Sequence, residues 1–405
     1  MLREIKKPNR NRARRLLQCL VVAIRPLRVE ELAEVLAVDF DDARGIPKLN
    51  PNWRWEDQQH ALLTACSSLI AIVNTGPSRV VQFSHFSVKE FLTSQRLATS
   101  NLDVSLYHIV LEPAHTILAQ VCLSILLRLD NLIEDGGVEE RSPLARYAAE
   151  HWVRHAQVED VASRVQGMED LFDTDKPYFA AWCRLHDIDV PPSPPSVFFR
   201  FRPFSKSGAN TPLYYAALCG FDSLVEQLIV KYPDHVGSSG GYYMTPAVAA
   251  LAGRHFQLAQ VLHRNGSALD PRGYSGNTPL HSAAYYEDSE MVQALLDYGV
   301  DVNAQNNFGS TPLNYAILDY SRVIDSRVIR LLLIHGADLH ISEQEGLTPL
   351  HRASQMGRIE IARVLLEFGA SVDVGDKRGR TPLDVASEEG HDEIIQLLME
   401  HGAVR

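Results

Sequence analysis

The sequence predicts a mainly α-helical protein in which a compact N-terminal domain and a helical connector precede an α-solenoid of short repeats. Three observations carry this reading. Thr-Pro pairs begin at Thr211, Thr245, Thr278, Thr311, Thr348 and Thr381, at intervals of 34, 33, 33, 37 and 33 residues. Between them apolar residues fall at i, i+3 and i+4, the spacing of one helix face. Pro191-Pro192-Ser193-Pro194-Pro195, a stiff and extended stretch, separates this half from a helical region without a period. The expected organisation is an N-terminal domain over 1–95, a connector over 96–190, a Pro-rich linker over 191–204 and six repeats over 205–405.

Composition narrows the function. Hydrophobic residues make up 45% and charged residues 22% of 405, an ordinary globular balance. The net charge of −11 excludes a polycation built to hold nucleic acid. The charge is uneven, since residues 1–28 hold nine Lys and Arg against Glu4 alone, a net of +8, and the remainder carries −19. Five cysteines without a CxxC pair argue against a disulfide framework or a zinc site and fit a reducing compartment. Apolar runs such as Cys19–Ile24 are far shorter than the roughly 20 residues of a membrane span, and the basic start lacks a secretory core. The expected setting is therefore the cytoplasm, with the nucleus as the alternative.

Taken in order, Arg14–Ile24 reads as an amphipathic helix stopped by Pro26. Val29–Ala37 reads as a second helix, with Glu30, Glu31 and Glu34 expected on its wet side. Trp55–Ser68 is a third. It leads into a strand Leu69–Val73, a turn Asn74–Ser78, a second strand Val80–His85 and a short helix Val88–Ser94. Three helices followed by a hairpin is the order of a winged helix. In the connector, Ile117–Leu129 is strongly apolar, Ser142-Pro143 opens a helix through Ala156, and a further pair is expected over Val161–Phe172 and Lys176–His186.

Within each repeat every recurring residue has a physical task. Thr is a good N-cap, and Pro suits the first helical turn, where no N–H donor is needed. Leu280, Ala283 and Ala284 form the packed face of a short first helix. Gly357 and Gly390 fall where the chain turns back, a position that favours positive φ. The second helix reads Ile359, Ile361, Ala362, Leu365 and Leu366 on its apolar face. Gly299, Gly336, Gly369 and Gly402 follow at the C′ position. One unit cannot bury its own apolar face, so neighbours must stack. Departures are expected to matter. Repeat four carries extra residues near Tyr320–Asp325, and repeat one ends in the Gly-rich Gly237–Gly241. Repeat two has Ala247 in place of Leu, lacks the His, and should pack less well, while acidic residues such as Glu388 and Asp392 make the last unit a polar cap.

Gly276–Ala284 (GNTPLHSAA) matches Gly346–Ser354 (GLTPLHRAS), and Ala294–Asn303 (ALLDYGVDVN) matches Val364–Asp373 (VLLEFGASVD). These units resemble ankyrin repeats. In that family the imidazole of Thr-Pro-Leu-His, here His281 and His351, ties adjacent units together. Leu16–Leu27 (LLQCLVVAIRPL), Glu30–Val35 (EELAEV) and Phe83–Leu92 (FSHFSVKEFL) resemble the winged-helix module that follows the NACHT domain in NACHT–ankyrin signalling ATPases, the module also named for GPI inositol-deacylase. The resemblance implies that this chain corresponds to the C-terminal portion of such a protein, with the NTPase core falling just ahead of Met1–Arg3.

Catalytic readings weigh little. No Gly is followed by Lys, so the phosphate cradle of an ATPase is missing. Gly237-Ser238-Ser239-Gly240-Gly241 matches G-x-S-x-G but is expected in a loop, without the strand and helix of a nucleophile elbow, so a hydrolase using Ser239 is the weakest alternative. His151 and His155, four apart, have metal-ligand spacing; they also share a stripe with Leu144, Tyr147, Ala148 and Trp152 that reads as a packing face. A DNA-associated regulator using the basic N-terminus and the wing is the other alternative. Its reading helix would be Trp55–Ser68, which has Glu56 and Asp57 and no cation. The remaining role is binding, with no cofactor, no metal, no membrane and no specific nucleic acid, by a chain expected to be monomeric. The implied concave surface carries Arg272, Tyr274, Tyr285, Tyr286, Asn307, Phe308, Gln344, Met356, Lys377, Arg378 and Arg380, rich in the residue types that anchor interfaces. The expected function is a non-enzymatic scaffold that recognises an unidentified protein partner.

Overall fold

The structure, a computed structural model, describes residues 2, 5–40, 47–50, 57–66, 68–76, 78–129, 141–189, 211–273, 275–318 and 326–404. They fall into two compact units, the first comprising Met1–Val190 with Ser223–Gln227 and the second Pro191–Asp222 and Leu228–Arg405.

The first unit opens with helices α1 (Arg10–Val22), α2 (Val29–Leu36) and α3 (Gln58–Cys66), and its strands include β1 (Leu27–Arg28), β2 (Val38–Asp39), β3 (Lys48–Leu49), β4 (Ile70–Thr75) and β5 (Ser78–Phe83). The hairpin β4–β5 is the expected wing, with Ile72 opposite Val81 and Thr75 opposite Ser78. A strand that sequence reading missed completes its sheet: β1 pairs antiparallel with β5, Leu27 against Val81, giving the order β1-β5-β4. Two residues are too few to show a period, which is why β1 was invisible in the sequence. Helix α1 starts four residues earlier than expected and ends at Val22, because Ala23 is already extended ahead of Arg25-Pro26. Trp55 and Glu56 of the expected third helix lie outside the described residues.

Short helices α4 (Phe86–Thr93), α5 (Gln95–Ala98) and α6 (Leu102–Ser105) lead to α7 (Leu111–Leu126) and α8 (Ala145–Ala156). Helix α7 packs on both α1 and α8. Leu118, Val121, Cys122 and Ile125 are buried there. Beyond α8 the expected helix Val161–Phe172 is two short helices, α9 (Val161–Arg164) and α10 (Met168–Leu171), broken where Gly167 adopts φ +89°. Helix α11 (Tyr178–Leu185) follows. Trp152 and Trp182 meet edge to face at 5.3 Å, Phe172 closes the cluster, and the Trp182 indole donates to the Ala149 carbonyl at 3.1 Å.

Sequence reading erred on α2. Glu31 and Glu34 are buried; only Glu30 faces outward among the three. Burial alone would raise the Glu31 carboxyl, but hydrogen bonds from Arg25 at 2.8 and 2.9 Å and from the Arg28 N–H at 2.7 Å hold it below the usual carboxylate range. Glu34 accepts from the Ser142 hydroxyl at 3.1 Å and the Leu144 N–H at 2.8 Å, capping the approach to α8.

The second unit is a series of helix pairs: α12 (Pro212–Cys219) and α13 (Asp222–Lys231), α14 (Pro246–Ala252) and α15 (Phe256–Arg264), α16 (Pro279–Tyr285) and α17 (Ser289–Asp297), α18 (Pro312–Ile317) and α19 (Ser326–Ile334), α20 (Pro349–Gln355) and α21 (Ile359–Glu367), and α22 (Pro382–Glu389) and α23 (Asp392–Glu400). Each first helix has Thr at its N-cap and Pro at its first position, as expected; Thr348, for example, accepts the His351 N–H. First helices pack on first helices from α16 through α22, and second helices on second helices from α17 through α23. Repeat two buries α14 along Pro246–Leu251 despite its small Ala247. Its junction with repeat three uses a bidentate Arg254–Asp288 pair at 2.9 and 3.0 Å. The residues around Tyr320–Asp325 lie outside the described ones.

The turn between the two helices of a unit needs a left-handed residue. Gly357 and Gly390 supply it where expected, and Gly220 does so in repeat one. In repeats two and three Arg254 (φ +67°) and Glu287 (φ +56°) do so instead. A non-glycine residue there costs about 1 kcal/mol, a strain that the stacked neighbours must offset.

Candidate protein-binding surface

The surface is built from the loops that precede each Thr-Pro. In repeats four and six a polar side chain five residues ahead of Thr closes the loop on itself. In repeat four the buried Asn306 accepts the Phe308 N–H at 2.9 Å and the Ser310 N–H at 3.0 Å; in repeat six Asp376 accepts the Arg378 N–H at 2.8 Å and the Arg380 N–H at 2.9 Å. These positioning residues were absent from the sequence reading, although their constant offset from Thr-Pro was a usable signal.

Neighbouring loop tips are then joined through the backbone. Asn307 N–H donates to the Ser275 carbonyl, Gln344 N–H to Phe308 and Lys377 N–H to Glu345, each at 3.0 Å. The Gln344 amide also donates to the Asn307 carbonyl at 2.8 Å. Close approach is obligatory: a Cβ on Gly346, whose φ is +81°, would come within 2.7 Å of the Lys377 nitrogen. The tips of repeats three to six therefore form one connected strip.

Imidazoles fasten the strip to the helices. His281 Nδ1 accepts the Thr278 N–H at 3.1 Å, and Nε2 donates to the Ser310 carbonyl of the next unit at 2.9 Å. His351 does the same with Thr348 at 3.2 Å and Arg380 at 3.0 Å. A second set of imidazoles escaped sequence reading. His391 donates to the Gln355 carbonyl of the preceding unit at 3.2 Å, and His255 lies so close under Gly220 that a Cβ there would meet its ring at 2.2 Å.

The eleven residues expected to face a partner divide into classes. Phe308, 53% exposed, together with Asn307, Gln344, Lys377 and Arg378, stands on the strip. Arg272 is exposed and braces it, donating to the Gln305 carbonyl at 2.7 Å. Tyr285 and Tyr286 are half-buried and meet edge to face at 5.1 Å, with Tyr315 a further 6.5 Å from Tyr285. They fill the junction between repeats three and four. Met356 is half-buried at the end of α20. Arg380 is tied to Asp376 at 2.7 Å and to Glu388 at 2.6 Å, which makes it a brace. Tyr274 lies outside the described residues.

The chemistry weighed in the sequence takes these forms. His155 is fully buried, with Nδ1 2.9 Å from His115 Nδ1 and Nε2 2.9 Å from the Tyr147 hydroxyl, so both ring nitrogens are engaged in packing contacts. Among the described residues no group of three His, Cys, Asp or Glu side chains is placed to hold a metal. Ser239 is exposed in a loop preceded by a single 3-10 turn, Pro233–His235, and not by a strand. No described helix is long and apolar enough to cross a membrane.

Comparison with known proteins fits this geometry. The family model of ankyrin repeats in three copies matches residues 321–404, and that of ankyrin repeats in many copies matches 262–316. The chain carries ankyrin repeats. The GPI inositol-deacylase winged-helix model matches residues 2–104, so the repeats follow an N-terminal winged helix. Ankyrin repeats are protein-interaction units, and both domain types are non-catalytic kinds of fold. Azaphilone pigments biosynthesis cluster protein L of Monascus ruber is 30% identical over 274 residues, 62% of this chain and 55% of that protein. An ankyrin repeat protein of Rickettsia felis is 35% identical over 107 residues, 24% of this chain and 47% of that protein. Rabankyrin-5 of Mus musculus is 49% identical over 49 residues, 12% and 4% of the two chains. The chain thus spans about half the length of the first two of these relatives.

Buried imidazoles in both units make stability depend on pH. Burial lowers the His281 pKa to about 4, lowers that of His351, and with His115 alongside lowers that of His155 to about 3. The unfolded chain holds these protons from pH ~6.5 downward while the folded chain refuses them. Their stabilisation is therefore complete above pH ~6.5 and is lost progressively toward pH ~4. The melting temperature should fall between pH 7.5 and pH 5, a range above the carboxylate titrations. A melt that stays constant over that range contradicts neutral, buried imidazoles.

Proposed function

We propose that this chain is a non-enzymatic scaffold that captures a protein partner along the connected loop tips of repeats three to six, as the recognition and regulatory portion of a NACHT-type signalling protein. The observation that carries this reading is Phe308. A large aromatic ring stands half-exposed on a strip whose backbone is locked on both sides, flanked by Asn307, Gln344, Lys377 and Arg378. Rigid aromatic anchors with a polar surround are what interface hot spots require, since little conformational entropy is lost on contact. The winged-helix match supports the signalling context, because that module follows NACHT domains in the proteins this chain resembles.

Phe308→Glu is expected to reduce partner capture by about tenfold or more, the loss of one hot spot, while leaving the melting temperature within a few degrees. Cross-linking of the tagged full chain in its own cells, followed by comparison of the wild-type and variant partner sets, measures this. Tyr285→Ala is expected to lower the melt as well, since that ring fills a junction. If Phe308→Glu retains every partner of the wild type, the surface is elsewhere.

A further inference from the structure

The first unit has an open cleft of about 530 Å³ beside the wing. Three guanidiniums line it from three elements: Arg25 ahead of β1, Arg28 on β1 and Arg146 on the first turn of α8. The wing contributes Thr75, Ser78 and Gln82. Two of the arginines are held before any ligand arrives. Glu31, fully buried behind them, takes Arg25 at 2.8 and 2.9 Å and the Arg28 Nε at 3.1 Å. Arg28 Nη2 also donates to the Pro143 carbonyl at 3.1 Å, and the Arg25 guanidinium lies 5.0 Å from the Tyr147 ring centre. One carboxylate thus serves two guanidiniums. Arg146 faces Glu150 on its own helix at 3.2 Å.

We propose that this cleft binds a phosphoryl group. Its donors converge from three sides and include the guanidinium N–H groups that Glu31 and Pro143 leave over, a hydroxyl and an amide, which suits the tetrahedral oxygens and near-double charge of a phosphoryl group better than a planar carboxylate. The fixed arginines lower the cost of ordering the site. A nucleic-acid strand fits less well, because it needs a row of cations and here Glu150 stands against Arg146. The group comes either from a small phosphate compound or from a phosphorylated residue of a peptide, and the two sources separate in the test.

The full chain is titrated calorimetrically at low salt with inorganic phosphate and with a hexapeptide carrying phosphoserine, serine or glutamate at one position. Saturable binding of phosphate or of the phosphoserine peptide is expected, the latter about tenfold tighter than the glutamate peptide. Preference for free phosphate points to the small-compound source, and preference for the phosphopeptide to the other. Arg146→Gln, at a largely exposed side chain, should weaken binding by about fivefold or more, and Ser78→Asp, which puts a carboxylate into the cleft, should abolish it. Strand alternation turns Arg79 to the opposite face of the wing from Ser78 and Gln82. Arg79→Gln removes the same charge nearby and should change affinity by less than about twofold. The proposal is overturned if nothing saturates below about 20 mM phosphate or phosphopeptide, a Kd too weak for a formed site. It is overturned too if the glutamate peptide binds as tightly as the phosphoserine one, or if Arg79→Gln weakens binding as much as Arg146→Gln.

Discussion

His281→Ala is expected to destabilise the repeat array by about 4 kcal/mol, the sum of a buried cavity and two orphaned backbone groups. The imidazole is wholly buried, edge-on to Tyr315 at 5.2 Å. Removing it leaves the Thr278 N–H and the Ser310 carbonyl without their partner in a buried junction. The effect should be local in origin, because a solenoid is stabilised through nearest-neighbour interfaces. Hydrogen exchange should accelerate first in α16 and α18, on either side of the lost bridge, and the urea midpoint of the array should fall with it. His281→Asn restores a donor and should recover part of the loss; Asn314 occupies the equivalent position in repeat four. A loss under about 1 kcal/mol for the alanine variant would show that the bridge is redundant.

Glu31→Ala is the second large effect, expected at about 2–4 kcal/mol on the first unit. The cost arises less from the lost attraction than from what is left behind. Arg25 and Arg28 would face each other at the rim of the unit without the carboxylate that now separates them, and the Arg28 N–H would lose its acceptor. Because both guanidiniums are about one-third exposed, solvent screens part of the penalty, which places the expectation toward the low end for a buried ion pair. Glu31→Gln keeps the shape and one acceptor oxygen but turns the other acceptor into a donor facing the guanidiniums, so it should recover only a small part of the loss. Thermal unfolding followed by tryptophan fluorescence reads this unit, since the Trp152–Trp182 cluster lies in its core. Equal stability of Glu31→Ala and wild type would remove the buried ion pair from the account of this fold.

The two units differ in how much of them could be read from residues alone. In the repeats, the N-cap Thr, the Pro after it, the turn glycines and the bridging histidines all stand where their spacing places them. In the first unit, Glu31 and Glu34 sit on α2 beside Glu30 in a pattern that looks solvent-facing, and yet they are buried. The partners that make burial tolerable for Glu34, Ser142 and Leu144, are 108 and 110 residues away. No local window could have shown them. The candidate surface lies between these cases. The positions facing a partner follow from the repeat, but only packing divides the exposed Phe308 from Tyr285 and Tyr286, which fill a junction, and from Arg380, which braces a loop.

The amino-acid order alone determined the repeat period and the starts of the first helices, because a cap and the Pro after it act within a few residues of one another. Tertiary structure alone decided which carboxylates of α2 are buried, that a two-residue strand joins the wing, and that three arginines meet in one cleft. The physical reason is distance along the chain. A cap or a turn is selected by residues close in sequence, whereas the desolvation of a charge is settled by whichever partner the fold brings to it.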